Sequence, residues 1–279
     1  MMKHFKVDLM DEYPFLKGGD LECLLMDFPW DGENTFGWKR PALIVVPGGG
    51  YGMCSRREGA PIASEFFARG FQTFILRYIT NGADARYPEQ LIELAAAVDY
   101  VKKHAQEFNV NEEEVFVVGF SAGGHLTANL AVEYGNVEAL SDVALDCKPT
   151  AVGLSYPVIS KINGHQGSYE NLLKGYSQEE QEALLQKLNL DQAVTKDTVP
   201  SFIWTTATDE VVPTDNSLRF ALALDRCGVQ YELHVYPKGQ HGLSTASLEI
   251  NHPQPEMKKA SAWIDACAEF FRMYTEEKY

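Results

Sequence analysis

The chain has 279 residues, of which 45% are hydrophobic and 23% are charged, so it is long enough to bury the core of one α/β domain. Its formal charge of −15 argues against nucleic acid or an anionic membrane surface as a partner. Residues 1–6 contain no apolar signal core, and no stretch approaches the length of a membrane span. The five scattered cysteines lack a C-x-x-C pair, which favours a reducing cytoplasm.

Short apolar runs alternate with helical patterns along most of the chain. Strands are predicted at residues 4–9, 21–26, 42–46, 73–76, 115–118, 151–155, 202–206 and 231–236. Helices are predicted over residues 59–69, after Pro88, over 122–131, from Ser177, around Leu218 and over 263–274. The polar, glycine-rich residues 30–41 predict a loop. This alternation predicts a single α/β domain over residues 1–279, with a mostly parallel sheet and helices on both faces.

The alternation stops between about residues 158 and 196. This segment is polar, and its helix from Ser177 has Glu180 as a capping-box partner. It is too short to build a core of its own. We therefore interpret residues 158–196 as a small cap inserted above the ends of the strands.

A serine between two glycines follows the buried run at residues 115–118. The sequence Gly119-Phe120-Ser121-Ala122-Gly123 lies where a strand should pass into a helix. Such a tight turn exposes the serine hydroxyl above the sheet, and glycines let the neighbouring backbone pass closely. The N–H of Ala122, at the start of the helix, is placed to donate toward developing negative charge.

Three consecutive glycines follow the strand at residues 42–46. The sequence Pro47-Gly48-Gly49-Gly50-Tyr51 fits neither nucleotide-binding glycine pattern, so a nucleotide site is not expected. We predict instead that the N–H groups of Gly49 and Gly50 complete an oxyanion hole. The neighbouring Arg56-Arg57-Glu58 is interpreted as a cluster that fixes this loop, with a role in substrate binding as the less favoured alternative.

A base and an acid for Ser121 are expected in two later loops at the same edge of the sheet. His241 lies between Gly239 and Gly242 after one predicted strand, and Asp209 directly follows another. The order serine, acid, histidine is that of an α/β-hydrolase triad. His125 is predicted to be structural, and the remaining histidines, His165 included, are expected to lie away from the site.

The motifs at residues 47–51, 119–125, 208–213 and 239–242 resemble those of the esterase and lipase group of α/β-hydrolases. The resemblance extends over about residues 20–275 and is closest to small acetylesterases and carbohydrate esterases, including acetylxylan esterase-like members. One departure is Pro47, which stands where lipases of this type have the histidine of their HGGG motif. The resemblance implies hydrolysis of carboxylic esters, often acetyl groups on saccharides.

The expected activity is acyl transfer to the nucleophile Ser121, with His241 as base and acid and Asp209 as its partner. The wall of the substrate pocket is predicted from Tyr51, Tyr156 and Trp204, with core packing as the alternative for each. The polar cap and these aromatic residues favour short acyl groups on small soluble molecules, and no metal or other cofactor is expected. An amidase or exopeptidase, or a binding protein without activity, are the alternatives.

Overall fold

The strands form one eight-stranded sheet in the computed structural model, which describes residues 1–27, 37–251 and 257–276. They are β1 (Met2–Asp8), β2 (Asp20–Met26), β3 (Arg40–Val46), β4 (Gln72–Arg77), β5 (Val110–Phe120), β6 (Val152–Ser155), β7 (Ser201–Thr206) and β8 (Tyr231–Tyr236). Their order across the sheet is β1-β2-β4-β3-β5-β6-β7-β8. The pairs β1–β2 and β2–β4 are antiparallel, and all neighbours from β4 to β8 are parallel. Most of the loop predicted over residues 30–41 lies outside the described residues.

Helices cover both faces of this sheet. They are α1 (Ala60–Ala68), α2 (Glu89–Lys103), α3 (Ala122–Glu133), α4 (Val137–Ser141), α5 (Gln166–Leu172), α6 (Gln178–Lys187), α7 (Asp215–Cys227), α8 (Met257–Ala260) and α9 (Trp263–Arg272). The predicted mostly parallel sheet with helices on both faces is therefore confirmed. None of the helices in the described part of the chain combines the length and the apolar character needed to cross a bilayer.

Alternating side chains of the central strands divide the hydrophobic core into two layers. In β3, Ile44 and Val46 belong to the same hydrophobic cluster as residues of α2, α3 and α7, while Leu43 and Val45 belong to the cluster of α1 and α9 on the other face. This alternation follows from the period of two in a strand, and it explains why a strand buried on both faces is continuously apolar. The core packs against both faces of the central strands, and the loops at their carboxyl ends extend from these buried strands.

The predicted cap contains two short helices, α5 and α6. Ser177 caps α6, and the reciprocal bonds with Glu180 form the predicted capping box. Leu188 is fully buried, and Leu172 and Leu190 belong to the same hydrophobic cluster as α2 and α3. The segment therefore shares the core of the main sheet. The assignment of residues 158–196 as a functional cap remains a prediction.

Candidate active site

Ser121 lies on a sharp turn between β5 and α3. Its backbone has φ of 53° and ψ of −116°, a conformation that side chains other than glycine seldom adopt. The turn is held on both sides, because the N–H of Ser121 donates to the carbonyl of Ser155 at 3.0 Å and its carbonyl accepts from Val158 at 3.1 Å. This strained turn directs the serine hydroxyl away from the core.

The glycines on either side of Ser121 are required by close backbone contacts. A Cβ on Gly119 would lie 2.2 Å from the carbonyl oxygen of Gly123, and one on Gly123 would lie 2.3 Å from that of Val46. Neither oxygen can move freely, since both belong to the backbone. The Gly-x-Ser-x-Gly pattern is therefore a consequence of packing α3 closely against the end of β3.

Three side chains from three loops meet at the carboxyl edge of the sheet. His241 Nε2 lies 2.8 Å from Ser121 Oγ, and His241 Nδ1 lies 2.7 Å from Asp209 Oδ2. The carboxylate oxygen can only accept, so Nδ1 carries the proton and Nε2 is free to accept the proton of the serine hydroxyl. The arrangement is that of a nucleophile, a base and a residue that orients the base.

Asp209 is held by the backbone of its own loop. Its Oδ1 accepts the N–H groups of Val211 and Val212, each at 2.9 Å, while its side chain is 1% exposed. These bonds compensate the burial of the carboxylate and fix which of its oxygens faces His241. The adjacent Glu210 is exposed, so Asp209 is the carboxylate that contacts the histidine.

The glycine loop after β3 lies against the same site. Gly49 and Gly50 have φ of 125° and 63°, and the Cβ of any other residue at Gly49 would lie 2.2 Å from the carbonyl of Met53. Within the described residues, no hydrogen bond uses the N–H of Gly49, Gly50 or Ala122. The amide of Asn171 in α5 donates to the carbonyl of Gly50 at 2.8 Å, so the predicted cap holds this loop directly.

An open pocket of about 200 Å³ lies in front of the serine. It is lined by Gly49, Gly50, Ser55, Arg57, Glu58, Ser121, His165, Val211, His241 and Gly242. His165 was expected to lie away from the site, and this expectation is wrong. His165 precedes α5 and its Nδ1 is 2.9 Å from Ser168 Oγ. No local pattern indicates that position, because it depends on how the predicted cap packs.

The three aromatic residues expected in the pocket wall belong to the core instead. Tyr51 and Tyr156 are each 2% exposed and Trp204 is fully buried. The hydroxyl of Tyr51 is 2.8 Å from His125 Nδ1, and the indole N–H of Trp204 donates to Ser155 at 2.8 Å. Each polar tip thus has a partner inside the protein, which is how such side chains are buried. The prediction for the pocket wall is therefore wrong.

His125 lies in the core behind this site. Its Nε2 donates to the carbonyl of Leu188 at 3.2 Å, so its Nδ1 accepts the hydroxyl proton of Tyr51. Burial disfavours the charged imidazolium and lowers the pKa of His125 to about 4. It remains neutral near pH 7, and it connects α3 to the end of the predicted cap.

Two known proteins are similar in sequence to about three quarters of this chain. The chain is 36% identical to endo-1,4-β-xylanase B of Butyrivibrio fibrisolvens over 217 residues, which are 76% of this chain and 34% of that protein. It is 29% identical to acetylxylan esterase of Xylanibacter ruminicola over 220 residues, 76% of this chain and 43% of that protein. The aligned regions thus span about a third and less than half of these two relatives.

Solved structures show the same fold over nearly the whole chain. An acetyl ester-xyloside bifunctional hydrolase from Caldicellulosiruptor lactoaceticus is 28% identical, with a TM-score of 0.79 and 96% of each chain covered. The carboxylesterase Cest-2923 from Lactobacillus plantarum, at 24% identity and a TM-score of 0.85, covers 100% of each chain and supports the fold alone. The BD-FAE family matches residues 33–224, which is more than half of the chain. The chain therefore belongs to the BD-FAE family of α/β-hydrolases.

Proposed function

We propose that this chain is a serine carboxylesterase that hydrolyses short acyl esters, with acetyl groups on small soluble saccharides as the preferred substrates. The observation that carries the proposal is the continuous hydrogen-bonded series from Asp209 through His241 to Ser121. Relatives named as an acetylxylan esterase and an acetyl ester-xyloside hydrolase support the acetyl and saccharide specificity. The names of these relatives do not favour the amidase alternative.

In the proposed reaction, Ser121 Oγ attacks the ester carbonyl carbon while its proton passes to His241 Nε2. The N–H groups of Gly49, Gly50 and Ala122 stabilise the oxyanion of the tetrahedral intermediate. When the intermediate collapses, the alcohol leaves with the proton from His241 and the acyl group stays on Ser121.

Water then attacks the acyl-enzyme and gives a proton to His241. The second intermediate collapses to the free carboxylic acid, and Ser121 Oγ regains its proton from the imidazole. Asp209 holds His241 in one tautomer and stabilises its charged form in both halves of the reaction. The complete cycle returns the protein to its starting protonation state, and no step uses a metal or cofactor.

The polarity of the pocket lining supports a short acyl group. Arg57, Glu58 and His165 make part of its lining polar, whereas a long acyl chain requires an apolar channel. In helix α6 of the predicted cap, Leu184 and Leu185 pack against the core and the exposed positions are almost all polar, so the helix gives no continuous apolar surface for a lipid.

A reducing compartment is also part of the proposal. All five cysteines are unpaired, including the buried Cys23, Cys147 and Cys267. Disulfides are rare in the cytosol, where thiols are kept reduced, so unpaired cysteines support a cytoplasmic location.

Acyl-chain specificity tests the proposal. We expect kcat/KM for p-nitrophenyl esters to be highest for acetyl and to fall through butyryl, octanoyl and palmitoyl. Acetylated xylo-oligosaccharides should release acetate, and a matched anilide should react much more slowly than the ester. Ser121→Ala should abolish all of these activities, whereas Ser141→Ala, in α4, should not. A maximum at octanoyl or beyond, or faster anilide cleavage, would contradict the proposal.

A further inference from the structure

Glu58 is a buried carboxylate beside Ser121 that the proposed mechanism does not use. It ends the short turn Arg56–Glu58 and is 3% exposed. Its Oε2 accepts the N–H of Gly48 at 3.0 Å, and its Oε1 accepts the hydroxyl proton of Tyr156 at 2.7 Å. A buried carboxylate is unfavourable unless its oxygens are hydrogen-bonded, so both contacts stabilise it in this position.

The contact with Tyr156 continues to the loop that carries His241. The hydroxyl oxygen of Tyr156 accepts the N–H of Ser244, three residues beyond His241, at 2.9 Å. The ring of Tyr156 packs edge-on against the imidazole with 5.0 Å between ring centroids. The hydroxyl of Ser244 donates to the carbonyl of Arg57, so the two loops are joined a second time.

The contact between Glu58 and Gly48 fixes the start of the glycine loop. Gly48 has no space for a side chain, since a Cβ there would lie 2.8 Å from Glu58 Oε2 and 2.6 Å from the carbonyl of Phe120. Its carbonyl accepts the N–H of Ser55 at 2.8 Å. Gly48 is therefore held at both its N–H and its carbonyl, immediately before the two glycines proposed to form the oxyanion hole.

We propose that Glu58 is a positioning residue that fixes the oxyanion-hole loop relative to His241 through Gly48 and Tyr156. This inference rests on the proposed esterase function. Oxyanion-hole donors act only when they are held within about 0.5 Å of the productive geometry. The Glu58 carboxylate provides this restraint, since one oxygen binds Gly48 of the glycine loop and the other binds Tyr156, which in turn binds Ser244 of the His241 loop.

Replacing Glu58 by glutamine changes the hydrogen bonds to Gly48 and Tyr156 without a large change in side-chain shape. A carboxylate accepts at both oxygens, whereas an amide accepts at one atom and donates at the other. If the amide oxygen of the glutamine keeps the hydrogen bond from the Gly48 N–H, its NH2 group faces Tyr156. The hydroxyl proton of Tyr156 then has no acceptor at this position. We expect Glu58→Gln to lower kcat by about 10- to 100-fold with KM within about threefold, less than the loss of a whole oxyanion-hole donor.

The matched control is Asp99→Asn. Asp99 is also 3% exposed, and its oxygens also accept a backbone N–H and a tyrosine hydroxyl, from Asp146 at 2.8 Å and from Tyr13 at 2.6 Å. It lies in α2 and does not line the pocket in front of Ser121. An effect on folding alone of replacing a buried carboxylate by its amide would appear in both variants.

Affinity for phenylboronic acid separates positioning from general destabilisation. Boron bonds to Ser121 Oγ and forms a tetrahedral adduct, one of whose oxygens occupies the oxyanion hole. All rates are divided by the concentration of active sites titrated with a fluorophosphonate. For Glu58→Gln we expect the Ki of the boronic acid to rise by a factor similar to the loss in kcat/KM. For Asp99→Asn neither the Ki nor kcat/KM should change.

A second variant tests the path through Tyr156. Tyr156→Phe removes the hydroxyl that joins Glu58 to Ser244, so the Glu58→Gln/Tyr156→Phe double variant should lose little more activity than the more damaging single change. The proposal is overturned if the Ki is unchanged in Glu58→Gln, or if the two single losses multiply. The esterase proposal itself fails separately, if the wild-type protein neither hydrolyses acetyl esters nor binds phenylboronic acid.

Discussion

Replacing Asp209 by asparagine should disable the site while leaving its shape intact. The Oδ1 of Asp209 accepts the N–H groups of Val211 and Val212. An asparagine keeps these two bonds only if its carbonyl oxygen takes the Oδ1 position. Its NH2 group then points at His241 Nδ1, where the carboxylate now accepts at 2.7 Å. The histidine must accept at Nδ1 and carry its proton on Nε2, which faces Ser121.

A proton on Nε2 prevents His241 from accepting the serine proton. The comparable change in serine proteases lowers kcat by about 10⁴-fold, and the orientation imposed by Val211 and Val212 leads us to expect a similar loss here. The measurement is kcat for p-nitrophenyl acetate, together with the thermal midpoint as a check on folding. Glu210→Gln is the matched control, since Glu210 is adjacent and exposed. A loss below about tenfold for Asp209→Asn, or a larger loss for Glu210→Gln, would refute the assignment of the acid.

Three further predictions concern stability and cofactors. Gly119→Ala should prevent folding or lower the thermal midpoint strongly, because its Cβ would lie 2.2 Å from a backbone oxygen. Gly135→Ala is the control, since the space around Gly135 is open and the thermal midpoint of this variant should change little. Burial raises the pKa of Glu93 from 4.5 to about 8, so between these values the folded state keeps a proton that the unfolded state has lost. The free energy of unfolding should therefore fall with rising pH, at up to about 1.4 kcal/mol per pH unit. Urea titrations at several pH values measure this slope, and Glu93→Gln should reduce it. An unchanged slope in Glu93→Gln would contradict the assignment of the raised pKa to burial. EDTA should leave ester turnover unchanged, whereas loss of turnover that a divalent metal restores would contradict the proposed mechanism.

The central strands and the turn at Ser121 could be predicted from the sequence, because each leaves a short pattern of residue types. Buried parallel strands are continuously apolar, so the runs at residues 42–46 and 115–118 were recognisable within β3 and β5. Gly119 is required by its contact with Gly123 inside the turn and Gly123 by its contact with Val46 at the end of β3, and the Gly-x-Ser-x-Gly pattern that results is visible in the sequence. The order of Ser121, Asp209 and His241 then placed them at one edge of the sheet.

Side-chain direction at strand ends could not be predicted in the same way. Tyr156 follows β6 and Trp204 lies within β7, but the polar tips of both side chains bond partners within the core. Glu58 and Tyr156 are 98 residues apart, so the burial of Glu58 has no local signal. In α7, Leu218 is 48% exposed, because Phe220, Ala221 and Leu224 form the face of the helix that is buried.

The role of Ser121 as the acylated nucleophile is the central claim, and intact-mass spectrometry tests it most directly. The protein is rapidly quenched during turnover of p-nitrophenyl acetate, and a second sample is treated with a fluorophosphonate. We expect one acetyl group or one phosphonate per chain, located on Ser121 by peptide mapping and absent from Ser121→Ala. Modification of a different residue, or full turnover by Ser121→Ala, would contradict the account.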